Sequence, residues 1–194
     1  MSTTGDMPTA IRAYLRSSSD ALSTMDAQAD FVAAMIEKLV NISKAGGKII
    51  TCGNGGSAAE AMHLAEELMG RYKRSRPPIA AICINADPTA LTCIANDWEY
   101  AEVFARQVAG IGKSGDALVV LSTSGKSASI LRALERARAN SITTIGLLGP
   151  AGSPAEPLCD LALTVPATVA ASHVQELHLV FIHLLLERFD ALHP

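Results

Sequence analysis

Residues 48–69 read KIITCGNGGSAAEAMHLAEELM, and this stretch decides the fold. The mostly apolar run Lys48–Cys52 leads directly into the glycine-rich segment Gly53–Ser57. In Ala58–Met69 the apolar residues then recur with the period of a helix. A buried strand that enters a helix through a glycine-rich turn is typical of parallel α/β proteins. The segment therefore predicts one strand–loop–helix unit of a parallel sheet.

The same alternation of short apolar runs and helical spacers continues through the chain. It predicts a five-stranded parallel sheet flanked by helices, a doubly wound domain of the flavodoxin-like or Rossmann-like three-layer kind. In such domains ligands bind beyond the carboxyl ends of the strands. The predicted strands are Lys48–Cys52, Ile79–Ile84, Ala117–Leu121, Thr143–Leu148 and Leu161–Val165, and the predicted helical spacers are Ala58–Met69, Val103–Ile111 and Ile130–Ala139.

Two helices are expected before the sheet. Apolar residues from Phe31 to Ile42 are spaced to line one helical face, and Gly46 and Gly47 provide a stop. No repeat or low-complexity linker divides the chain, so we expect one domain over residues 1–194. Its predicted parts are a disordered tail over 1–8, N-terminal helices over 9–45, and an α/β core with a C-terminal helix over 46–194.

Composition excludes several classes of protein. The 194 residues are 49% hydrophobic and 18% charged, which is enough apolar material for a core and excludes a disordered chain. The net charge of −3 supplies no basic field for nucleic acid. The longest apolar runs fall far short of the roughly 20 residues that span a bilayer, and Met1–Pro8 does not resemble a secretory signal. We therefore expect a cytoplasmic protein with no membrane or nucleic-acid partner.

The C-terminal segment Val174–Phe189 has apolar residues almost all the way round a helix, so it should be buried on every side. The favoured explanation is a symmetric oligomer packed on this helix, and the alternative is burial within one chain. Its polar residues Gln175, Glu176, His178 and His183 need partners, although a satisfied core histidine is an ordinary finding. Gln175 and His183 stand about 12 Å apart along the helix, so sharing one ion needs extended side chains or two protomers.

The glycine-rich loop is the first candidate site. Its backbone N–H groups and the following helix start favour an anionic or polyhydroxylated ligand. The spacing Gly53-x-Gly55-x-x-Ala58 also satisfies a relaxed dinucleotide fingerprint, in which Asp87 would bind the ribose. The plain structural alternative is a tight turn with Ser57 as the helix cap.

A second polar loop, Ser122–Ser127 (STSGKS), follows the third predicted strand. Its hydroxyls, glycine and lysine ahead of a helix can surround a phosphate monoester. It is not a nucleotide-hydrolysing P-loop, because Val120 stands where that motif needs glycine. An ordinary capped turn is the alternative. Two such loops on one sheet edge favour a small phosphorylated ligand over a dinucleotide.

The helix after the first loop places His63 and Glu67 four residues apart, and therefore on one face. That spacing suits joint metal ligation or a histidine that orients a carboxylate, although a surface ion pair is a common alternative. We expect the adjacent Glu66 to point to solvent. Asn96-Asp97 is a further polar pair, of a kind found more often in a plain turn.

Five ordered motifs together resemble the phosphoheptose isomerases, or sedoheptulose 7-phosphate isomerases, of the sugar isomerase (SIS) domain family. The resemblance runs from about residue 9 to residue 190. The motifs are GNGGS at 53–57, AMHLAEEL at 61–68, AND at 95–97, STSGKS at 122–127 and QELH at 175–178.

The resemblance implies an aldose–ketose isomerase that converts D-sedoheptulose 7-phosphate into D-glycero-D-manno-heptose 7-phosphate through a cis-enediol. That reaction is the first step of ADP- or GDP-heptose biosynthesis, and the sequence leaves open whether the heptose serves a lipopolysaccharide core, a surface glycan or a secondary metabolite. The family implies a homotetramer with active sites at subunit interfaces and one zinc ion per subunit. Its substrate contacts map to Asn54, Gly55, Gly56, Ser57, Glu67, Asn96, Asp97, Ser122, Thr123, Ser124, Ser127 and Gln175. Its zinc ligands map to His63, Glu67, Gln175 and His183, and its general base and general acid to Glu67 and His183.

In that chemistry a carboxylate moves a proton between C1 and C2 while an imidazole exchanges protons with the oxygens. A carboxylate held by zinc is a weaker base, so Glu67 either shifts between metal and substrate or the ion is partly structural. The chain departs from the family at Lys126, where asparagine is frequent, and at Ser172 and His173. These departures leave an auxiliary acid–base role at 172–173 open.

Two other functions compete with this interpretation. One is a non-catalytic SIS-domain interaction protein that resembles the replication initiator-associating protein. That protein lacks counterparts of Glu67 and His183, which are both present here, so the enzyme is favoured. The other is a dinucleotide-dependent oxidoreductase, for which the serine loop has no use.

Overall fold

The five apolar runs form the strands of one parallel sheet in the computed structural model, which describes residues 6–192. The strands are β1 (Ile49–Gly53), β2 (Ala81–Cys83), β3 (Ala117–Ser122), β4 (Thr143–Pro150) and β5 (Leu161–Val165). The helices are α1 (Met7–Asp26), α2 (Ala29–Lys44), α3 (Gly56–Met69), α4 (Pro88–Asp97), α5 (Val103–Ile111), α6 (Ala128–Ala139) and α7 (Ala171–Ala191). The predicted fold class and the two helices ahead of the sheet are confirmed.

The first helix starts earlier than predicted. The expected tail was residues 1–8, but α1 begins at Met7, so the prediction is wrong for residues 7 and 8. The reason is that Pro8 stands in the first turn, where its missing N–H has no helical partner to lose and its fixed φ suits a helix. Residues 1–5 of the predicted tail lie outside the described residues.

Helix α4 was not predicted as a helix. Asp87 caps it, because its carboxylate accepts the N–H groups of Thr89 and Ala90 at 2.8 and 3.1 Å. Asn96-Asp97 forms the last two residues of this helix, so the plain turn that the pair suggested is wrong. Capping also accounts for Asp87 without a ribose.

The strand order is β2-β1-β3-β4-β5. Strand β2 therefore lies on one side of β1, and β3, β4 and β5 follow in order on the other side. Adjacent strands β1 and β3 pair from Ile49 opposite Ala117 to Gly53 opposite Leu121. After β1 the chain enters α3 on one face of the sheet, and after β3 it enters α6 on the other. The loops therefore diverge and leave a crevice at the carboxyl ends of β1 and β3, where open α/β sheets bind ligands.

Two hydrophobic layers enclose the sheet. Alternate strand residues point to opposite faces, so Ile49 belongs to the layer that includes α1, α2, α3 and α7, while Ile50 belongs to the layer that includes α4, α5 and α6. Both residues are fully buried. The strands read as continuous apolar runs because a parallel sheet is covered on both faces.

Helix α7 is the long helix of the first layer, and it is not buried all round within one chain. Phe181 and Leu185 are fully buried, whereas Leu179 and Leu184 are 36% and 43% exposed. Burial of this helix within one chain is therefore incomplete, contrary to the alternative considered above. In residues 6–192 no helix is both long and apolar enough to cross a membrane.

Candidate active site

The loop after β1 is held by a residue from the neighbouring strand end. The side chain of Asn85, just beyond β2, accepts the N–H of Gly53 at 3.1 Å and donates to its carbonyl at 2.9 Å. Gly55 then turns the chain with φ +58° and ψ −126°, a conformation open essentially to glycine. This turn aims the start of α3 into the crevice.

Asn54 ties this loop to the other side of the crevice. Its Oδ1 accepts the hydroxyl of Tyr100 at 2.7 Å, and its Nδ2 donates to the hydroxyl of Ser129, in α6, at 3.0 Å. The amide orientation is therefore set by two partners from different segments. Asn54 is half-buried and stands between the two candidate loops.

The loop after β3 is shaped by its own hydroxyls. Ser122 Oγ accepts the N–H of Gly125 at 3.1 Å, and Ser124 Oγ accepts the N–H of Lys126 at 3.2 Å. Gly125 has φ +60°, and a Cβ there would collide with the side chain of Ser153. The serine-rich loop is thus a tight, glycine-dependent turn.

Both helices that start at the crevice have uncapped first turns. Ser57, considered above as a cap, lies inside α3, whose N-cap position is Gly55. Ser127 occupies the N-cap position of α6, but its side chain makes no capping hydrogen bond. Their first-turn N–H groups lack a side-chain acceptor, and a bound anion can take that place.

A cluster of ionisable side chains lies further along α3. Ligand atoms of His63, Glu66 and Glu67 lie within 4.8 Å of one another. His63 Nδ1 is 3.2 Å from Glu66 Oε1. Glu66 is exposed to solvent, as expected, but it also contacts His63, which was not expected. Glu67 Oε2 is buried and has no hydrogen-bond partner within the described chain. A buried carboxylate oxygen without a donor is typical of a position that a cation or a substrate hydroxyl completes.

Helix α7 brings His183 to this cluster. Its ring lies 5.7 Å from that of His63, edge to face, and 5.8 Å from the ring of Tyr72, which stacks on it. Gln175, two turns earlier, lies against the start of α3, because a Cβ at Gly56 would collide with its amide. One face of α7 therefore runs along α3, with Gln175 beside the glycine loop and His183 beside His63.

The other predicted contacts are not all gathered at this point. Asn96 Nδ2 donates to Asp97 Oδ1 at 2.9 Å, and Asp97 also accepts from the thiol of Cys93. Both side chains are exposed at the end of α4, and among the described residues they bond to each other rather than to either loop. The chain reaches the crevice only beyond them, at Tyr100.

Four further residues belong to the site and were not predicted. Asn85 could have been found, since it follows a strand at the ligand-binding edge. Tyr72 and Tyr100 carry no signal in the sequence, because Tyr72 lies in an irregular segment after α3 and Tyr100 begins a short 3-10 helix after α4. Glu60 precedes His63 by one turn of α3, and burial raises its pKa to about 7.

The comparisons with known proteins agree with this geometry. The SIS domain family model matches residues 13–149. A phosphoheptose isomerase of Bradyrhizobium sp. (strain BTAi1) is 47% identical over 154 residues, 79% of this chain and 77% of the relative. One from Serratia proteamaculans is 42% identical over 183 residues, 93% of this chain and 94% of the relative.

Solved structures show the same relationship. Phosphoheptose isomerases from Francisella tularensis and Neisseria gonorrhoeae each superpose with a TM-score of 0.89 at 32% identity. The matches cover 94% and 96% of this chain and 97% and 100% of theirs. The fold and the crevice thus define a SIS-domain protein. Within that class, the chain belongs to the phosphoheptose isomerase family.

Proposed function

We propose that this chain is an aldose–ketose isomerase that converts D-sedoheptulose 7-phosphate into D-glycero-D-manno-heptose 7-phosphate. The observation that carries the proposal is the approach of His183 to the His63–Glu67 face of α3, beside two uncapped helix starts. Those helix starts suit a phosphorylated ligand, and the cluster supplies a carboxylate and an imidazole for proton transfer. The relatives described above are isomerases of this kind by name.

The serine-rich loop is the proposed phosphate site. Hydroxyls of Ser122, Thr123, Ser124 and Ser127 and the first amides of α6 would donate to the phosphate oxygens. The first loop would hold the sugar hydroxyls through Asn54 and the backbone of Gly55–Ser57. Asn96, Asp97 and Gln175 complete the proposed substrate contacts, the last from its position against Gly56.

Glu67 is the proposed general base. Its unpartnered, buried carboxylate oxygen is available to take the proton from the carbon next to the carbonyl and to return it to the neighbouring carbon. His183 would move protons at O1 and O2, and the stacked ring of Tyr72 fixes the plane of its imidazole. The two together give a cis-enediol without a free charge on oxygen.

We propose that His63, Glu67, Gln175 and His183 hold one zinc ion per subunit. Two imidazoles, a carboxylate and an amide oxygen are a donor set that zinc accepts, and the buried oxygen of Glu67 would shift between this ligand position and the substrate proton that it removes as base. When bound, zinc would polarise the substrate carbonyl. Glu66, hydrogen-bonded to His63 Nδ1, would then fix that imidazole with Nε2 turned to the ion.

A homotetramer with active sites at subunit interfaces is also proposed. One support is an apolar groove of about 520 Å³ between α1, α2 and α7, lined among others by Val32, Val180 and Leu184. A second, of about 680 Å³, runs along α3 and β2 past Met62 and reaches His63 itself. Covering the second groove with another subunit would remove water from the reacting atoms. A role in lipopolysaccharide synthesis and a cytoplasmic location stay predictions.

The direct test is to incubate the protein with D-sedoheptulose 7-phosphate, with added zinc and after chelation, and to follow the aldose phosphate by NMR. We expect aldose formation that chelation lowers and zinc restores. Absence of aldose under both conditions would contradict the proposal. A partner protein retained in a pull-down by a chain without turnover would favour the interaction protein.

A further inference from the structure

Outside the isomerase site, α1 and the start of α7 are joined by three side chains in a line. Ser17 Oγ lies 2.8 Å from His173 Nε2, and His173 Nδ1 lies 2.8 Å from Glu176 Oε2. A hydroxyl, an imidazole and a carboxylate in this order form the arrangement that activates a serine as a nucleophile. None of the three has a part in the isomerisation proposed above.

The carboxylate is held ready to orient the imidazole. Glu176 also accepts the hydroxyls of Tyr14 at 2.7 Å and Ser18 at 2.5 Å. Burial alone would raise the pKa of Glu176, but hydrogen bonds from Ser18, Tyr14 and His173 outweigh it and lower the pKa. An ionised carboxylate only accepts, so His173 carries its proton on Nδ1. His173 Nε2 then faces the Ser17 hydroxyl, which donates to the carbonyl oxygen of Tyr14 at 2.9 Å and would turn toward Nε2 for the attack.

Space for a small molecule lies next to the serine. A cavity of about 310 Å³ is lined by Ser17, Asp20, Thr24, Pro166, Ala170 and His173, among others. Such a volume lies at the small end of the range that holds small ligands. Helix α7 begins at the edge of this cavity, directly after Ala170, without a side-chain cap. Its first N–H groups are available to an oxyanion, as a tetrahedral intermediate requires.

We propose that Ser17, His173 and Glu176 form a second catalytic centre, one that hydrolyses small carboxylic esters. Ser17 Oγ attacks the ester carbonyl carbon as its proton passes to His173 Nε2. The bond from carbon to the alkoxy oxygen then breaks, and the leaving alcohol takes the proton from Nε2. A water molecule, deprotonated by the same nitrogen, attacks the acyl carbon; the bond from that carbon to Ser17 Oγ breaks, Oγ takes the proton from Nε2, and the carboxylic acid leaves. Asp20 in the cavity wall favours neutral or cationic esters over anionic ones.

The test treats the intact protein with a fluorophosphonate probe, which a nucleophilic serine attacks at phosphorus with loss of fluoride. We expect one adduct per chain, and peptide mapping that assigns it to Ser17. The Ser17→Ala variant should take no adduct. Ser18→Ala is the matched control, since Ser18 is the neighbour that bonds the same carboxylate, and it should keep the adduct.

Hydrolysis of 4-nitrophenyl acetate gives the second readout. Ser17→Ala and His173→Gln should each lower the rate at least ~100-fold, the usual share of general base catalysis. Retained isomerase turnover in Ser17→Ala shows that the variant is folded. A wild-type protein without an adduct on Ser17, or equal ester hydrolysis by wild type and Ser17→Ala, would overturn the proposal. The mapping of the wild-type adduct depends on no variant.

Discussion

The imidazole of His183 meets the imidazole of His63 edge to face, with 5.7 Å between the ring centres. The two residues are 120 positions apart in the chain, and the packing of α7 along α3 brings them together. In the proposed mechanism, this contact brings the acid–base imidazole to the helix that carries Glu67. The packing of α7 is therefore as important to the proposed chemistry as the two loops.

The shape of the serine-rich loop depends on Gly125. Gly125→Ala should destabilise the fold by about 2–4 kcal/mol, because the new Cβ meets Ser153 in addition to the cost of a positive φ. Gly152→Ala is the matched control, since its φ is +77° and a Cβ there meets nothing within 4 Å. It should cost about 1–2 kcal/mol. Urea unfolding measures both, and equal losses would contradict the predicted clash.

A buried ion pair holds the segment after α3. Asp190 accepts Arg76 Nε at 3.1 Å and the N–H groups of Lys73 and Arg74 at 2.9 Å each. Asp190→Ala leaves Arg76 buried and unpaired, and should lower the free energy of unfolding by about 3–5 kcal/mol. The control is Glu187→Ala, which removes the solvent-exposed pair with Lys73 and should cost far less. Similar losses in both variants would contradict the account.

Much of this architecture follows from the sequence because of how parallel sheets are buried. Strands covered on both faces are continuous apolar runs, so the fully buried strands β1 and β3 lie within one residue of their predicted bounds. Helix α4 was not predicted because Ile94 is its only buried residue, so its sequence shows almost no helical period of apolar residues. Its start signals, Asp87 followed by Pro88, were nevertheless present.

Some features of the candidate site could likewise be predicted from the sequence, and others could not. Both loops could be located from glycine and serine content at the carboxyl ends of strands, and His63 and Glu67 from their spacing on one helix. The contact of His183 with His63 depends on how two distant helices pack, which spacing within either helix does not show. The clamp of Asn54 between Tyr100 and Ser129 is equally a product of tertiary structure.

Burial of His178 makes stability depend on pH. Its Nε2 faces the carbonyl of Leu148 at 3.2 Å, and burial lowers its pKa from 6.5 to about 4. Between pH 6.5 and about 4, His178 is protonated in the unfolded chain but stays neutral in the folded chain. Stability is therefore full above pH 6.5 and falls by about 3 kcal/mol as the pH drops toward 4, at 1.36 kcal/mol per pKa unit.

The variant His178→Gln isolates this effect, since it keeps an amide donor and removes the titrating group. Urea unfolding between pH 7 and pH 4 should show a smaller loss in the variant than in the wild type. Parallel pH profiles for the two proteins would assign the acid sensitivity to other groups.

The groove between α1, α2 and α7 predicts the effect of a surface charge on assembly. Leu184→Glu places a carboxylate in this groove, and we expect light scattering to show particles smaller than the wild-type oligomer. Ile111→Glu is the control, because Ile111 is similarly exposed but lies on α5, on the other face of the sheet. A wild-type monomer at micromolar concentration, or an unchanged oligomer in Leu184→Glu, would contradict the proposed interface.

The central claim is that Glu67 moves the proton between C1 and C2 of the sugar phosphate. Its most direct test is the turnover of D-sedoheptulose 7-phosphate by Glu67→Gln, measured by NMR in D₂O beside the wild type and Glu66→Gln. The account predicts a loss of at least ~100-fold in Glu67→Gln, a smaller loss in Glu66→Gln, and solvent deuterium on the aldose carbon next to the carbonyl in the wild type. Full turnover by Glu67→Gln would contradict it.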